Sequence, residues 1–176
     1  MVAKGLTRAS IIDAAIDIID AEGLDALSMR ALGRACGVKA MSLYRYIANK
    51  EELLDAVQEG IIAQMQLPKR RRAWLGLIEA AARELRRVLA EHPNAIPLFV
   101  RPAATTGAFV ALEQVWRVLI AAGFDEADAL RAVQSMLAFV VGQALWQFTP
   151  EGERQADDEF EFGLEVMLLG LQAKLS

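Results

Sequence analysis

The chain has 176 residues, 55% of them hydrophobic; residues 1–50 carry seven Lys/Arg against five Asp/Glu, and residues 51–176 carry twelve against eighteen. That length allows one large or two small domains with a real core, and the lone Cys36 excludes an internal disulfide and suits a reducing, cytoplasmic setting. A basic front on an acidic body points to a nucleic-acid module joined to something else, the apolar content hints at a buried subunit interface, and no signal peptide is visible.

In chain order, residues 1–6 form a short arm. Thr7 caps a helix over 8–22, with Ile11, Ala15, Ile18 and Ile19 on its apolar face and Asp13, Asp17 and Asp20 opposite. Gly23 ends it. Ser28 then caps a helix to Cys36 in which Met29, Leu32 and Ala35/Cys36 recur at helical spacing. Gly37 breaks that pattern, as a glycine does where the backbone needs a positive φ. A second helix follows over roughly 38–47. Leu43 and Ile47 lie one turn apart and face inward, leaving Lys39, Ala40, Ser42, Tyr44, Arg45 and Tyr46 on the other sides.

Helix, glycine turn and short helix is the spacing of a helix-turn-helix, whose second helix enters the DNA major groove. Residues 26–50 include Arg30, Arg34, Lys39, Arg45 and Lys50 and no acid, a local excess that phosphate explains. The competing reading is an ordinary helical hairpin with a solvated basic face. Asn49 caps the next helix, predicted over 50–65, where Leu53, Leu54, Val57, Ile61 and Met65 share a face. Leu67-Pro68 and the basic run 69–72 mark a boundary between a DNA-binding domain, 1–66, and a second domain, 67–176. The basic run is either a solvated helix start or a further DNA contact.

The second domain reads as all helix. A helix over 74–91 presents Leu77/Ile78, Ala81, Leu85, Val88 and Leu89, and His92-Pro93 stops it. Residues 95–100 form a short apolar piece. Thr106 caps a helix over 107–122 carrying Phe109, Leu112, Val115, Trp116 and Leu119. The helix from Asp125 to about Phe148 is apolar on two faces, so both must be covered. A membrane span is its rival reading, and Gln134, Ser135, Gln143 and Gln147 argue against that. A last helix runs from about Glu159. The fold class is all-α.

Catalysis finds little support. His92 precedes a proline, Cys36 reads as core packing with no metal partners, Glu51 and Glu52 suit a helix dipole, and Gly33 and Gly37 form no phosphate loop. No enzyme activity, metal or cofactor is expected.

The front third resembles the DNA-binding domain of the TetR (tetracycline-repressor-like) family of bacterial regulators. The residues that carry the likeness are Arg8–Ile11, Ala14-Ala15, Glu22-Gly23, Leu27–Arg30, Gly37-Val38, Leu43–Tyr46 and Asn49-Lys50. Trp74, Arg86-Arg87, Arg101-Pro102, Ala122–Phe124 and Gly142 extend it toward the tetracycline-repressor branch. The resemblance implies a homodimer joined through the last two long helices, a palindromic double-stranded operator, and a small-molecule pocket in the second domain. On that basis the expected DNA-facing set is Thr7, Ser28, Arg30, Lys39, Ala40, Met41, Ser42, Tyr44, Arg45, Tyr46 and Lys50. Tyr44, Tyr46 and Lys50 would hold phosphates, and Arg45, Lys39 and Arg30 would reach bases.

The resemblance also exposes departures. Family members that bind tetracycline chelate its magnesium through a His, where this chain has Pro97, assisted by a Glu, where it has Trp146. A drug-contacting Asn matches Ala81. The expected ligand is therefore small and apolar, with no metal. Its expected lining is Leu85, His92, Phe99, Phe109, Val115, Trp116, Met136, Phe139, Gln143 and Trp146, with Gln143 or His92 giving orientation. Ala138, Gly142 and Ala144 are the small residues expected to let the dimer helices approach. The expected function is a repressor released from its operator when the ligand wedges the second domain and the helix from Lys50 swings. The nearer alternative is an architectural DNA-binding dimer without a ligand, recognised by a filled core; an enzyme is the distant one.

Overall fold

The computed structural model describes residues 6–68, 73–101, 110–147 and 156–175, and among these every regular element is a helix. They are α1 (Arg8–Glu22), α2 (Met29–Ala35), α3 (Ala40–Leu43), α4 (Lys50–Ile62), α5 (Trp74–Glu91), α6 (Val110–Ala122), α7 (Glu126–Gln147) and α8 (Ala156–Ala173), with 3₁₀ turns at Leu24–Ala26 and Pro93–Val100. The expected Thr106 cap and the basic run 69–72 lie outside the described residues.

Two compact units form: Met1–Ala63 with Asn94–Ala108, and Gln64–Pro93 with Phe109–Ser176. By contacts, Asn94–Arg101 groups with the first unit although it follows α5 in sequence. Long-range polar contacts hold it there: Asn94 Nδ2 donates to the Asp20 carbonyl at 2.9 Å, and Arg101 donates to Asp55 at 2.6 Å and Glu51 at 2.7 Å.

In the first unit, helix starts follow from local chemistry. Thr7 accepts from the Ser10 amide while Ser10 Oγ accepts from the Thr7 amide, a reciprocal capping box. Ser28 caps α2 through the Ala31 amide at 3.1 Å, and Asn49 caps α4 through the Glu52 amide at 2.8 Å. Gly23 and Gly37 adopt φ of 87° and 68°, the left-handed side that glycine enters without penalty. Ile11, Ala15, Ile19, Leu27, Leu32, Leu43, Leu53, Val57 and Ile61 are fully buried, and Ile16, not Ile18, joins them.

Two expected boundaries change. The second helix of the motif is one α-turn, Ala40–Leu43, and not 38–47, because the amides of Tyr46 and Ile47 both converge on the Leu43 carbonyl and end the helical ladder. The helix α4 stops at Ile62, short of Met65, and the chain then turns to bonds with α5.

The second unit is a helical bundle in which α7 packs against α5, α6 and α8, and α5 also meets α6 and α8. Its core combines Leu77, Ile78, Leu85, Val88 and Leu89 of α5 with Val115 and Leu119 of α6. Val133, Met136, Val140 and Ala144 of α7 and Phe160 and Leu164 of α8 complete it. Phe139 stacks on Phe160 at 5.5 Å, and the Arg86 guanidinium lies 4.4 Å over the Phe160 ring. At 22 residues α7 is long and apolar enough to cross a bilayer by length and composition alone, yet here its buried stripe forms a protein core.

Candidate nucleic-acid interface

The helix-turn-helix is built by close backbone approach. Val38 donates its amide to the Gly33 carbonyl at 2.9 Å, and a Cβ on Gly33 would meet the Val38 carbonyl oxygen at 2.9 Å and the Ala40 nitrogen at 3.0 Å. Only a glycine at 33 lets α3 sit this tightly on α2. Leu43 and Ile47 anchor the short helix from beneath, as their one-turn spacing predicts.

With those two side chains buried, the remaining ones point outward. Arg30, Lys39, Met41, Tyr44, Arg45 and Lys50 are exposed, while Ala40, Ser42 and Tyr46 are half-buried. Met41 is 76% exposed, unusual for a large apolar side chain. The Arg45 guanidinium lies 5.7 Å over the Tyr46 ring, which restrains its direction. Thr7 and Ser28 are exposed helix caps whose hydroxyls already accept backbone amides.

Charge pairing separates this surface from the rest. Among the described residues, Arg30, Arg34, Lys39, Arg45 and Lys50 form no ion pair. Every described Lys or Arg from residue 73 onward does: Arg83, Arg86, Arg87, Arg101, Arg117, Arg131 and Lys174 each meet a carboxylate. Exposed Arg34 and buried Gly33 are residues of this motif that the expected set lacks. The acid-free run already marks Arg34, whereas Gly33 is invisible until α2 and α3 are placed. Cys36, beside them, is half-buried, and burial pushes its thiol pKa up, away from nucleophilic chemistry.

The expected pocket residues separate. Leu85, Val115 and Met136 do meet, in an apolar crevice with Ile78, Ala81, Ala82, Val133 and Leu137, whose void is about 20 Å³. Phe99 is buried and belongs to the first unit, whose segment is held by the contacts of Asn94 and Arg101. Trp146 is 55% exposed, because the turn of α7 that buries Val140 and Ala144 carries position 146 outward. Phe139 turns to Phe160, Trp116 is half-buried, and Phe109 lies outside the described residues. His92 shares a 3.1 Å hydrogen bond with the Gln64 side chain. Gln143 keeps a buried Oε1 with no hydrogen-bond partner among the described residues. No group of three His, Cys, Asp or Glu able to hold a metal occurs among the described residues.

A second apolar surface lies on the bundle. Phe162, Val166 and Leu169 of α8 are 70%, 52% and 58% exposed at spacings of four and three, one helical stripe. Ala138 and Gly142 of α7 are exposed, and a Cβ on Gly142 would meet nothing within 4 Å. Ala144 is corrected from that surface to the core.

Comparison with known proteins matches residues 11–57 to the N-terminal model of the tetR family of bacterial regulatory proteins, and residues 67–148 to a tetracyclin repressor-like C-terminal domain. An HTH-type transcriptional regulator of Saccharopolyspora erythraea is 35% identical over 158 residues, 86% of this chain. The chain spans about two thirds of that relative's length, 67%. Among solved structures, Streptomyces coelicolor ActR in complex with actinorhodin superposes with a TM-score of 0.83 at 26% identity, covering 97% of both chains. Mycobacterium smegmatis BioQ gives a TM-score of 0.80 at 31% identity, covering 96% of this chain and 98% of that one. A structure of BioQ with its natural double-stranded DNA operator gives 0.75, covering 96% and 99%.

Proposed function

The chain belongs to the TetR family of bacterial regulatory proteins and is a helix-turn-helix transcriptional regulator; from that premise we propose a homodimeric cytoplasmic repressor of a palindromic operator, released by a small apolar molecule without metal. The observation that carries the DNA assignment is the set of five unpaired cations at positions 30, 34, 39, 45 and 50, on a molecule whose other described cations are nearly all neutralised in place. Unpaired cations gain most from phosphate, since no internal ion pair must first be broken. Lys50, Tyr44 and Tyr46 hold the backbone, and Lys39, Arg45 and Arg30 approach base edges, with the one-turn α3 seated in the major groove. Thr7 and Ser28 set the ends of α1 and α2 against phosphates.

The exposed stripe of α8 supports the dimer, because an isolated chain seldom leaves three large apolar side chains in one open row. The ligand assignment rests on the crevice among Leu85, Val115 and Met136 and on the unpartnered Gln143 oxygen. A void of about 20 Å³ holds no drug-sized molecule, so ligand entry must part α5, α6 and α7. The same small void favours the second reading, a DNA-binding dimer with no ligand. Trp fluorescence during titration with hydrophobic compounds, with and without Mg²⁺, separates the two. A saturable response independent of Mg²⁺ supports the repressor with an apolar ligand. A response that requires Mg²⁺ defeats the metal-free ligand, and no response from any compound that also leaves operator affinity unchanged favours the architectural dimer.

A further inference from the structure

Gln64 and Gln66, just after α4, are held to α5 through their backbone groups. Glu84 Oε2 accepts from the Gln66 amide at 2.7 Å, and Arg87 Nη2 donates to the Gln64 carbonyl at 3.2 Å. The two clamping side chains also hold each other, Arg87 Nη2 to Glu84 Oε2 at 3.0 Å, and Glu91 steadies Arg87 from the next turn at 2.7 Å. His92 adds a bond to the Gln64 side chain. One peptide donor and one peptide acceptor are thus gripped by one ion pair, a fixed geometry unlike that of a flexible tether. The Arg87 guanidinium, and after it the Gln66 amide, hold the Glu84 carboxyl below the usual range, so the grip is charged at neutral pH.

The same turn of α5 builds the apolar crevice. Leu85 is flanked in sequence by Glu84 and by Arg86-Arg87, and Ala81 and Ala82 lie one turn earlier on the crevice wall. A rigid helix cannot move its crevice face without carrying the clamp on its flank. We propose that Glu84 and Arg87 form a transmission clamp, through which displacement of the crevice wall of α5 is passed to residues 64–66 and so to the end of α4. The inference rests on the reading that ligand entry displaces that wall. It assigns these two residues a positioning role, with no contact to ligand or DNA.

The test needs no ligand. Ala81→Leu places extra side chain in the crevice and forces α5 outward as an occupant would; Ala82→Val is the milder substitute if Ala81→Leu fails to fold. Amide hydrogen exchange at Gln66 and affinity for an operator duplex selected from random DNA are measured in wild type, in the crevice variant, in Glu84→Ala, and in the double variant. The clamp predicts that the crevice variant speeds Gln66 exchange by about tenfold or more and weakens operator binding, and that it adds nothing to either change in the Glu84→Ala background. Arg87→Met should behave as Glu84→Ala does. Additive effects in the double variant, or a folded crevice variant that leaves Gln66 exchange at the wild-type rate, would overturn the clamp. Either result leaves the ligand reading standing, because that is decided separately by the fluorescence titration.

Discussion

The carbonyl oxygen of Val38 lies 2.9 Å from the point a Cβ on Gly33 would occupy, so the contact between α2 and α3 exists only because residue 33 has no side chain. Gly33→Ala must therefore push α3 away, since backbone atoms and not a flexible side chain stand in the way. The expected cost is about 1–3 kcal/mol, the usual range for overpacking. Thermal melting would show the lower Tm, and operator binding would fall further than stability alone predicts. Wild-type DNA affinity in a folded Gly33→Ala protein would refute the stated geometry.

Phosphate-holding and base-reading side chains should separate by salt and sequence. Lys50→Ala is expected to weaken binding to all duplexes and to lower the salt slope by about one. Arg45→Ala should cost about 1–3 kcal/mol on the selected operator and relax the choice of base there. Fluorescence anisotropy at several salt concentrations checks both, and an Arg45→Ala protein with unchanged sequence preference would refute its assigned role.

Arg101 carries one charged hydrogen bond of a buried carboxylate. Asp55 is only 1% exposed and receives Arg101 Nη1 at 2.6 Å, so Arg101→Met removes a charge-assisted bond from a buried site. The expected loss is about 3–5 kcal/mol, and adding Asp55→Asn should recover part of it by removing the charge. Chemical denaturation of the single and double variants measures this; a double variant no more stable than Arg101→Met contradicts it.

Acid should loosen the second unit first. Hydrogen bonds from Arg87 and from Arg83 hold the Glu84 and Glu161 carboxyls below the usual range, and Lys174 with Arg131 does the same for Asp128. A carboxylate with a depressed folded pKa contributes its full stability above the unfolded value and loses it as pH falls through the folded value. Stability should therefore decline as pH falls through and below the usual carboxylate range. Glu84→Gln should flatten that decline in a Tm-against-pH series, and an unchanged slope would contradict the assignment.

The exposed stripe of α8 is the expected dimer contact. Leu169→Glu or Phe162→Glu should give a monomer in analytical ultracentrifugation, with weak binding to a two-half-site duplex. A wild type that sediments as a monomer at micromolar concentration would remove the dimer from the account.

What could be read from the sequence was local, and what could not was long-range. Thr7, Ser28 and Asn49 are legible as caps because each acts on an amide three residues away. Leu43 and Ile47 are legible as anchors because helical periodicity alone sets which face they share. The partner of Arg101 is 46 residues distant, so its Arg-Pro pair reads as part of the second domain until Asp55 is seen beside it. Phe99 follows Arg101 into the first unit for the same reason. Trp146 and Ala144 exchange their expected places because α7 is apolar on two faces, and periodicity cannot say which face meets its own core. Gly33 looked ordinary because its need comes from Val38 across the turn.

The most direct measurement is operator binding by a variant in which Arg30, Arg34, Lys39, Arg45 and Lys50 are all replaced by Gln. A control protein would carry Gln at Arg117 and Arg131, two exposed cations that are already ion-paired. Binding to a palindromic duplex selected with the wild type should vanish for the five-fold variant, together with its salt dependence, while the control binds as the wild type does. Retained binding by a folded five-fold variant, with an unaltered salt slope, would contradict the assignment of this surface to DNA.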